Sequence, residues 1–350
     1  MKFTDGQWLI RKGINIFNPI EIHDLDVGSN SLTVYASCRH IGHRGATLDG
    51  TLLSIRFYSP MPDVIGVQME HFKGKSKKGP EFAINAIENN EVKIINNEKE
   101  AMLKSGNLSV QIRKDRWELK FFNNSIRLTG SSFRNAGYIT TTTGDTYLRE
   151  QLDLKVGESV YGFGERFTPF VKNGQVIDIW NQDGGTSTEQ AYKNIPFYLT
   201  NSGYGVLVNH PEEVSFEVAA ERVSAVQFSV PGEHLEYFII NGPTPKEVLK
   251  RYTALTGRPA LPPAWSFGLW LTTSFTTEYD EKTVNSFIDG MAQRDLPLSV
   301  FHFDCFWMKE YHWCNFDWDE RVFPEPEKML KRLKAKGLKI CVWINPYIAQ

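Results

Sequence analysis

Gly242-Pro243-Thr244-Pro245, followed by Leu261-Pro262-Pro263-Ala264-Trp265-Ser266-Phe267-Gly268-Leu269-Trp270, is the stretch that decides the fold. Before it the chain reads as strands alone, and after it as strands alternating with helices. Downstream, 267–271 reads as a strand, 281–294 as a helix, 298–303 as a strand, 326–336 as a helix stopped by Gly337, and 338–344 as a third strand. That order opens a parallel α/β domain. A whole (β/α)8 barrel takes about 250 residues, whereas roughly 90 follow Leu261, so the expectation is the first part of a barrel with an incomplete active site.

Upstream, residues 8–240 hold short alternating runs such as Leu53-Ser54-Ile55-Arg56-Phe57-Tyr58, Val64-Ile65-Gly66-Val67-Gln68-Met69, Trp117-Glu118-Leu119-Lys120-Phe121 and Val214-Ser215-Phe216-Glu217-Val218. Many short strands without intervening helices predict an antiparallel β-sandwich. The expected division is a sandwich over 1–241, a linker helix and loop over 242–262, and the start of the barrel over 263–350. Thr244 as cap and Pro245 in the first turn begin the linker helix.

A chain of 350 residues with 41% hydrophobic content has the apolar surface for two cores. Its formal charge of -2 makes no field to gather nucleic acid or anionic lipid, so a small or neutral partner is expected, with a homo-oligomer left open. The basic cluster Lys73, Lys75, Lys77 and Lys78 reads as a solvated loop. Cys38, Cys305, Cys314 and Cys341 lack the paired spacings of a disulfide scaffold or a zinc site and fit a reducing compartment. With no apolar run at its start, the chain is expected in the cytoplasm, and the glycosylation patterns at Asn107 and Asn123 are then chance matches.

In parallel barrels the functional side chains stand at the carboxyl ends of the strands. The three ends here read Thr272-Thr273-Ser274-Phe275, Phe303-Asp304-Cys305-Phe306-Trp307 and Trp343-Ile344-Asn345-Pro346. With a period of two, Asp304 shares a face with His302 and Val300, while Phe301 and Phe303 turn toward the helices. A sugar offers apolar C–H faces ringed by hydroxyls, so its site needs aromatic platforms beside carboxylates or amides. Phe275, Phe306, Trp307, Trp313 and Trp343 around Asp304 meet that need. The competing readings are core packing for the rings and a helix cap or structural ion pair for Asp304.

Tyr161-Gly162-Phe163-Gly164-Glu165-Arg166-Phe167, Trp180-Asn181-Gln182-Asp183-Gly184-Gly185, Asn194-Ile195-Pro196-Phe197-Tyr198 and Phe303-Asp304-Cys305-Phe306-Trp307-Met308, with the proline-rich stretch above, carry a resemblance over essentially all of the chain. It resembles the N-terminal part of glycoside hydrolase family 31, and within it the bacterial α-xylosidases. Gly162-Phe163-Gly164 alone carries nothing, because Phe167 stands where a dinucleotide fingerprint needs its third glycine.

The resemblance implies a mutarotase-like β-sandwich, a (β/α)8 barrel and further β-domains. It also implies retaining hydrolysis of an α-linked terminal sugar by two carboxylates about 5 to 5.5 Å apart, with no metal or organic cofactor. Both catalytic carboxylates are expected beyond Gln350, leaving none to assign here. The implied substrate contacts are Asp304 to the sugar hydroxyls, Trp343 against the ring, and Asp183 on a loop reaching toward the barrel mouth, with Phe275 and Trp313 on the leaving-group side. Where α-glucosidases of the family read Asp-Ile-Asp, this chain reads Asp304-Cys305-Phe306. Losing the second carboxylate leaves a hydroxymethyl group unpaired, at about 1 to 3 kcal/mol, so terminal α-xylose of an oligosaccharide is expected over glucose. The other readings are an α-glucosidase or transglycosidase of the same family, and a non-catalytic carbohydrate-binding fragment. A mutarotase-like epimerase has no acid/base constellation in 1–240 on this reading, which takes His71, His210 and His234 as surface or capping residues. The edge of the third strand and uncovered apolar faces are expected to invite a partner or aggregation.

Overall fold

The computed structural model describes residues 1–6, 8–75, 80, 82–88, 90–182 and 188–346. Asp183, Lys77 and Lys78 therefore lie outside the described residues. The chain divides into two compact units, Met1–Arg258 and Pro259–Gln350.

The first unit is antiparallel throughout. Its largest sheet has eight strands in the order Val160–Gly164, Asn194–Thr200, Tyr204–Val208, His234–Asn241, Val64–Glu70, Leu52–Met61, Ser31–Ser37 and Glu21–Val27. A six-stranded sheet centres on Ala225–Pro231 and Thr146–Asp153, and a five-stranded sheet runs from Lys93–Asn96 to Ile126–Ser131. One hydrophobic core draws on all three, for instance Val34 and Tyr237, Phe216 and Phe228, and Leu103 and Phe121. Alternation in Ser31–Ser37 buries Leu32, Val34 and Ala36 and leaves the residues between them half-buried, the period-two pattern of a sheet with one packed face.

Helix α1 (Pro245–Thr256) covers the other face of the eight-stranded sheet. Its Val248 and Leu255 are buried with Val64, Leu207, Phe238 and Ile240, and Tyr252 stacks on Phe197 at 4.0 Å. Strand Tyr204–Val208 is accordingly buried at every position. The cap of α1 is the expected one, for Thr244 Oγ1 accepts from Glu247 N at 3.3 Å with proline at the first turn.

The second unit is a three-stranded parallel sheet, Leu269–Thr272, Leu298–Phe303 and Lys339–Val342 in that order, crossed by α2 (Glu281–Ala292) and α3 (Pro326–Ala335). Phe301 and Phe303 are fully buried in a cluster with Val284 and Ile288 of α2 and Met329 and Leu333 of α3. Asp280 caps α2 through Thr283 N at 2.7 Å, and Arg332 of α3 and Lys336 at its C-cap pair with Glu281 and Asp289 of α2.

Several expectations need correction. Residue 267 is not in a strand, because Ala264–Phe267 winds into a 3-10 turn closed by Gly268 N on Trp265 O, which delays the strand to Leu269. Trp117 and Glu118 likewise precede their strand, which starts at Leu119. His71 is more than a surface or capping residue: half-buried, it stacks on Tyr138 at 3.8 Å and its Nδ1 lies 2.7 Å from the buried carboxylate of Glu233. Tyr138 Oη donates to the same carboxylate at 3.0 Å. A His–Glu–Tyr constellation thus exists in 1–240, assembled by strands too distant in sequence for spacing to reveal it. His234 pairs with Glu70 at 3.3 Å beside it.

Candidate functional site

The register of the parallel sheet sets Thr272 opposite His302 and Phe303 opposite Val342, so the three strands finish side by side. Backbone bonds carry the alignment past the strand ends, since Thr273 N donates to His302 O at 3.2 Å and Trp343 N to Phe303 O at 2.7 Å. Asp304 N donates to Thr273 Oγ1 at 3.0 Å. Tyr279, buried ahead of α2, donates its hydroxyl to Asp304 O. These bonds fix the backbone of Asp304 between the ends of its two neighbours.

The Asp304 side chain is half-buried. Its Oδ1 accepts from Cys305 N at 2.6 Å and so caps the 3-10 turn Cys305–Trp307. The cap reading of this carboxylate is therefore correct as local structure, and it holds the group at the strand end. Cys305 follows in the turn, half-buried, with its thiol pushed up to about 11 by burial and then by the charge of Asp304. On the face below Asp304, His302 Nδ1 meets Thr272 Oγ1 at 2.7 Å. Burial holds His302 below its usual value against the opposing pull of Asp304, which favours the neutral imidazole.

The aromatic residues separate into three groups. Phe306 and Trp313 meet edge to face at 5.4 Å, both half-buried, forming a paired wall after the second strand. Trp343 is half-buried at the end of the third strand, and Phe275 is exposed on the loop after the first. Trp307 is not a platform: it is buried, packs on Trp318 at 5.1 Å, and gives its indole N–H to Trp343 O at 2.7 Å. It is core that positions Trp343. The long loop after the turn is folded by Arg321, which binds Asp319 and Glu310, while Asp319 N anchors to Trp307 O at 2.9 Å.

The strand ends thus bring Asp304, Cys305, Phe306, Trp313 and Trp343 onto one edge of the second unit, with Phe275 on the adjoining loop. Thr272, Thr273, His302 and Tyr279 complete it without having been singled out as site residues. Only the alternation of the strand hinted at His302. A carboxylate fixed by backbone bonds beside aromatic faces is suited to receiving hydroxyl groups around an apolar ring.

In the first unit, the three glycine- and asparagine-containing motifs converge on one loop base. Arg166 donates to Phe163 O, Glu189 O, Asp178 O and Asn194 Oδ1. Asn194 Nδ2 in turn donates to Trp180 O, Asn181 Oδ1 and Ala191 O. Arg166 and Asn194 therefore tie together both stems of the segment 181–193 that carries Asp183.

Residues 52–217 match the model of the glycosyl hydrolase 31 N-terminal galactose mutarotase-like domain, and residues 259–350 match that of the family 31 TIM-barrel domain. The whole chain aligns at 52% identity with an α-xylosidase of Lactiplantibacillus pentosus, covering 46% of it, and at 49% with an α-xylosidase of Emericella nidulans, covering 47%. Among solved structures, a family 31 dextranase of Flavobacterium johnsoniae superposes with a TM-score of 0.78 over 95% of the chain and 39% of its own length, at 19% identity, a likeness of fold. The chain spans under half the length of the curated relatives it matches.

Proposed function

Since the chain belongs to glycoside hydrolase family 31, we propose that the protein carrying it is a retaining α-xylosidase that releases terminal α-xylose from oligosaccharides. The observation that carries the reading is the identity of 49–52%, over alignments that cover the whole chain, with two α-xylosidases. In this proposal Asp304 receives sugar hydroxyls, Trp343 backs the ring, and Asp183 is a further substrate contact. Phe275 and Trp313 flank the leaving group. The two carboxylates of the retaining reaction, about 5 to 5.5 Å apart, come from later barrel strands, and the strand ends of the second unit supply the floor of the site. The four cysteines, all free thiols, support a cytoplasmic location.

Specificity rests on Cys305 and Phe306, which follow Asp304 in the capped turn. Neither accepts a strong hydrogen bond from a hydroxymethyl group, so a glucoside would bury an unpaired hydroxyl where a xyloside has none. The paired exchange Cys305→Ile with Phe306→Asp in the natural polypeptide tests this. The expected result is a fall in the ratio of kcat/KM for α-xyloside over α-glucoside by about tenfold or more; an unchanged ratio refutes the assignment.

A further inference from the structure

A cavity of about 180 Å³ opens in the first unit. Among the described residues, three arginines, Arg134, Arg149 and Arg222, line it together with one carboxylate, Glu221. Both oxygens of Glu221 are already engaged, by Thr4 N at 3.1 Å and by Gln227 Nε2 at 2.9 Å.

Arg149 is the unusual member. Its side chain is 3% exposed, and among the described residues it makes no ion pair. Nη2 donates to Arg134 O at 2.8 Å, while Nε has no hydrogen-bond partner. A buried guanidinium with no direct ion-pair partner is costly, and burial pulls its pKa down to about 10 although Glu221 and Glu150 act in the opposite direction. At the lip, Arg134 adopts φ +65°, a left-handed conformation seldom taken outside glycine and maintained only where surrounding contacts impose it. That conformation sets its guanidinium over Trp8 at 5.4 Å and Phe133 at 5.1 Å, both rings being exposed.

We propose that this cavity is a second ligand site that takes a sugar-sized organic anion, its carboxylate or phosphate placed on Arg149 and its ring against Trp8 and Phe133. The volume lies below the roughly 300–1,000 Å³ of drug-sized ligand sites, which limits the occupant to about one ring. The excess of arginine over available carboxylate selects an anion, and a guanidinium fork receives carboxylate and phosphate alike. The exposed aromatic faces supply the contact that inorganic anions would not use.

Isothermal titration of the purified chain with glucuronate, glucose 6-phosphate, inorganic phosphate and xylose decides the matter. Saturable binding of glucuronate or glucose 6-phosphate at millimolar concentration or below, weaker for phosphate and absent at this site for xylose, supports the proposal and tells the carboxylate source from the phosphate source. Arg149→Met should weaken that binding about tenfold or more, as loss of a charged hydrogen bond requires. Because Arg149 is buried and its replacement can disturb folding, Trp8→Ala and Arg222→Gln serve alongside it and should weaken binding while leaving the melting temperature near that of the parent chain. Absence of binding by either organic anion, or binding indifferent to Trp8→Ala and Arg222→Gln in folded protein, overturns it.

Discussion

Asp304 caps a turn and is proposed to bind substrate, and a pair of substitutions separates the two. Its Oδ1 caps a turn through Cys305 N, and its charge is proposed to receive sugar hydroxyls. Asparagine caps as well as aspartate, so Asp304→Asn in the natural polypeptide should keep its unfolding midpoint, whereas Asp304→Ala should lose about 1 kcal/mol. Both should reduce kcat/KM on α-xyloside by about tenfold or more, since hydrogen bonds to a charged group contribute about 1.5–3 kcal/mol. Full turnover by Asp304→Asn would leave the residue as a cap alone. The thiols give a second check at this scale. Burial pushes Cys38 up to about 12 and Cys305 up to about 11, while Cys314 is exposed, so iodoacetamide at pH 8 should label Cys314 well ahead of the other two. Mass mapping of the labelled peptides would show the order. Asp304 was legible from its place at a strand end; the role of Trp307 was not, because sequence does not tell a ring that packs under a site from one that lines it.

At the scale of elements, the Gly162-Phe163-Gly164 motif is a β-bulge. Pairing between Val160–Gly164 and Asn194–Thr200 slips between Gly162 and Gly164, and all three residues of the motif have positive φ. A Cβ on Gly162 would lie 2.7 Å from Phe197 O, and one on Gly164 would fall on Lys193 O. Phe163 tolerates its conformation because its ring is fully buried against Tyr198 and Phe216. The bulge aims Arg166 at the loop base that carries Asp183. Gly164→Ala should therefore destabilise the first unit by more than about 1 kcal/mol, read as a lowered urea midpoint. Arg166→Ala should leave that midpoint nearer its original value but speed proteolytic cleavage within 181–193; cleavage at the parent rate would mean that Arg166 does not hold the segment. The strands themselves were legible because alternation and turn residues mark them locally. The bulge was not, since its cause is a carbonyl supplied by a strand some thirty residues away.

On the scale of the whole molecule, a buried carboxyl makes the stability of the sandwich depend on pH. Glu150 is fully buried, and burial raises it to about 7 although Ser131 Oγ, Gln151 N and Tyr237 Oη all donate to it and Arg149 lies beside it. The folded state then holds a proton that the unfolded chain releases above about 4.5. Its contribution is favourable at low pH, falls by about 1.4 kcal/mol per pH unit as pH rises from about 4.5 to about 7, and is level above that. Glu150→Gln should thus gain on the parent chain between pH 5 and pH 8, as urea midpoints at the two values would show; a constant difference would contradict the burial argument. Sequence showed two units and the change of grammar near Gly242, because periodicity is a local signal. It did not show Glu150, Arg149 or the Glu233 constellation, because these are created only when distant strands pack. The central claim, that the strand ends of the second unit form the floor of an α-xyloside site, is tested most directly by kcat/KM of the natural polypeptide on 4-nitrophenyl α-D-xyloside and α-D-glucoside. The account predicts a xyloside preference of about tenfold or more; equal or better use of the glucoside would contradict it.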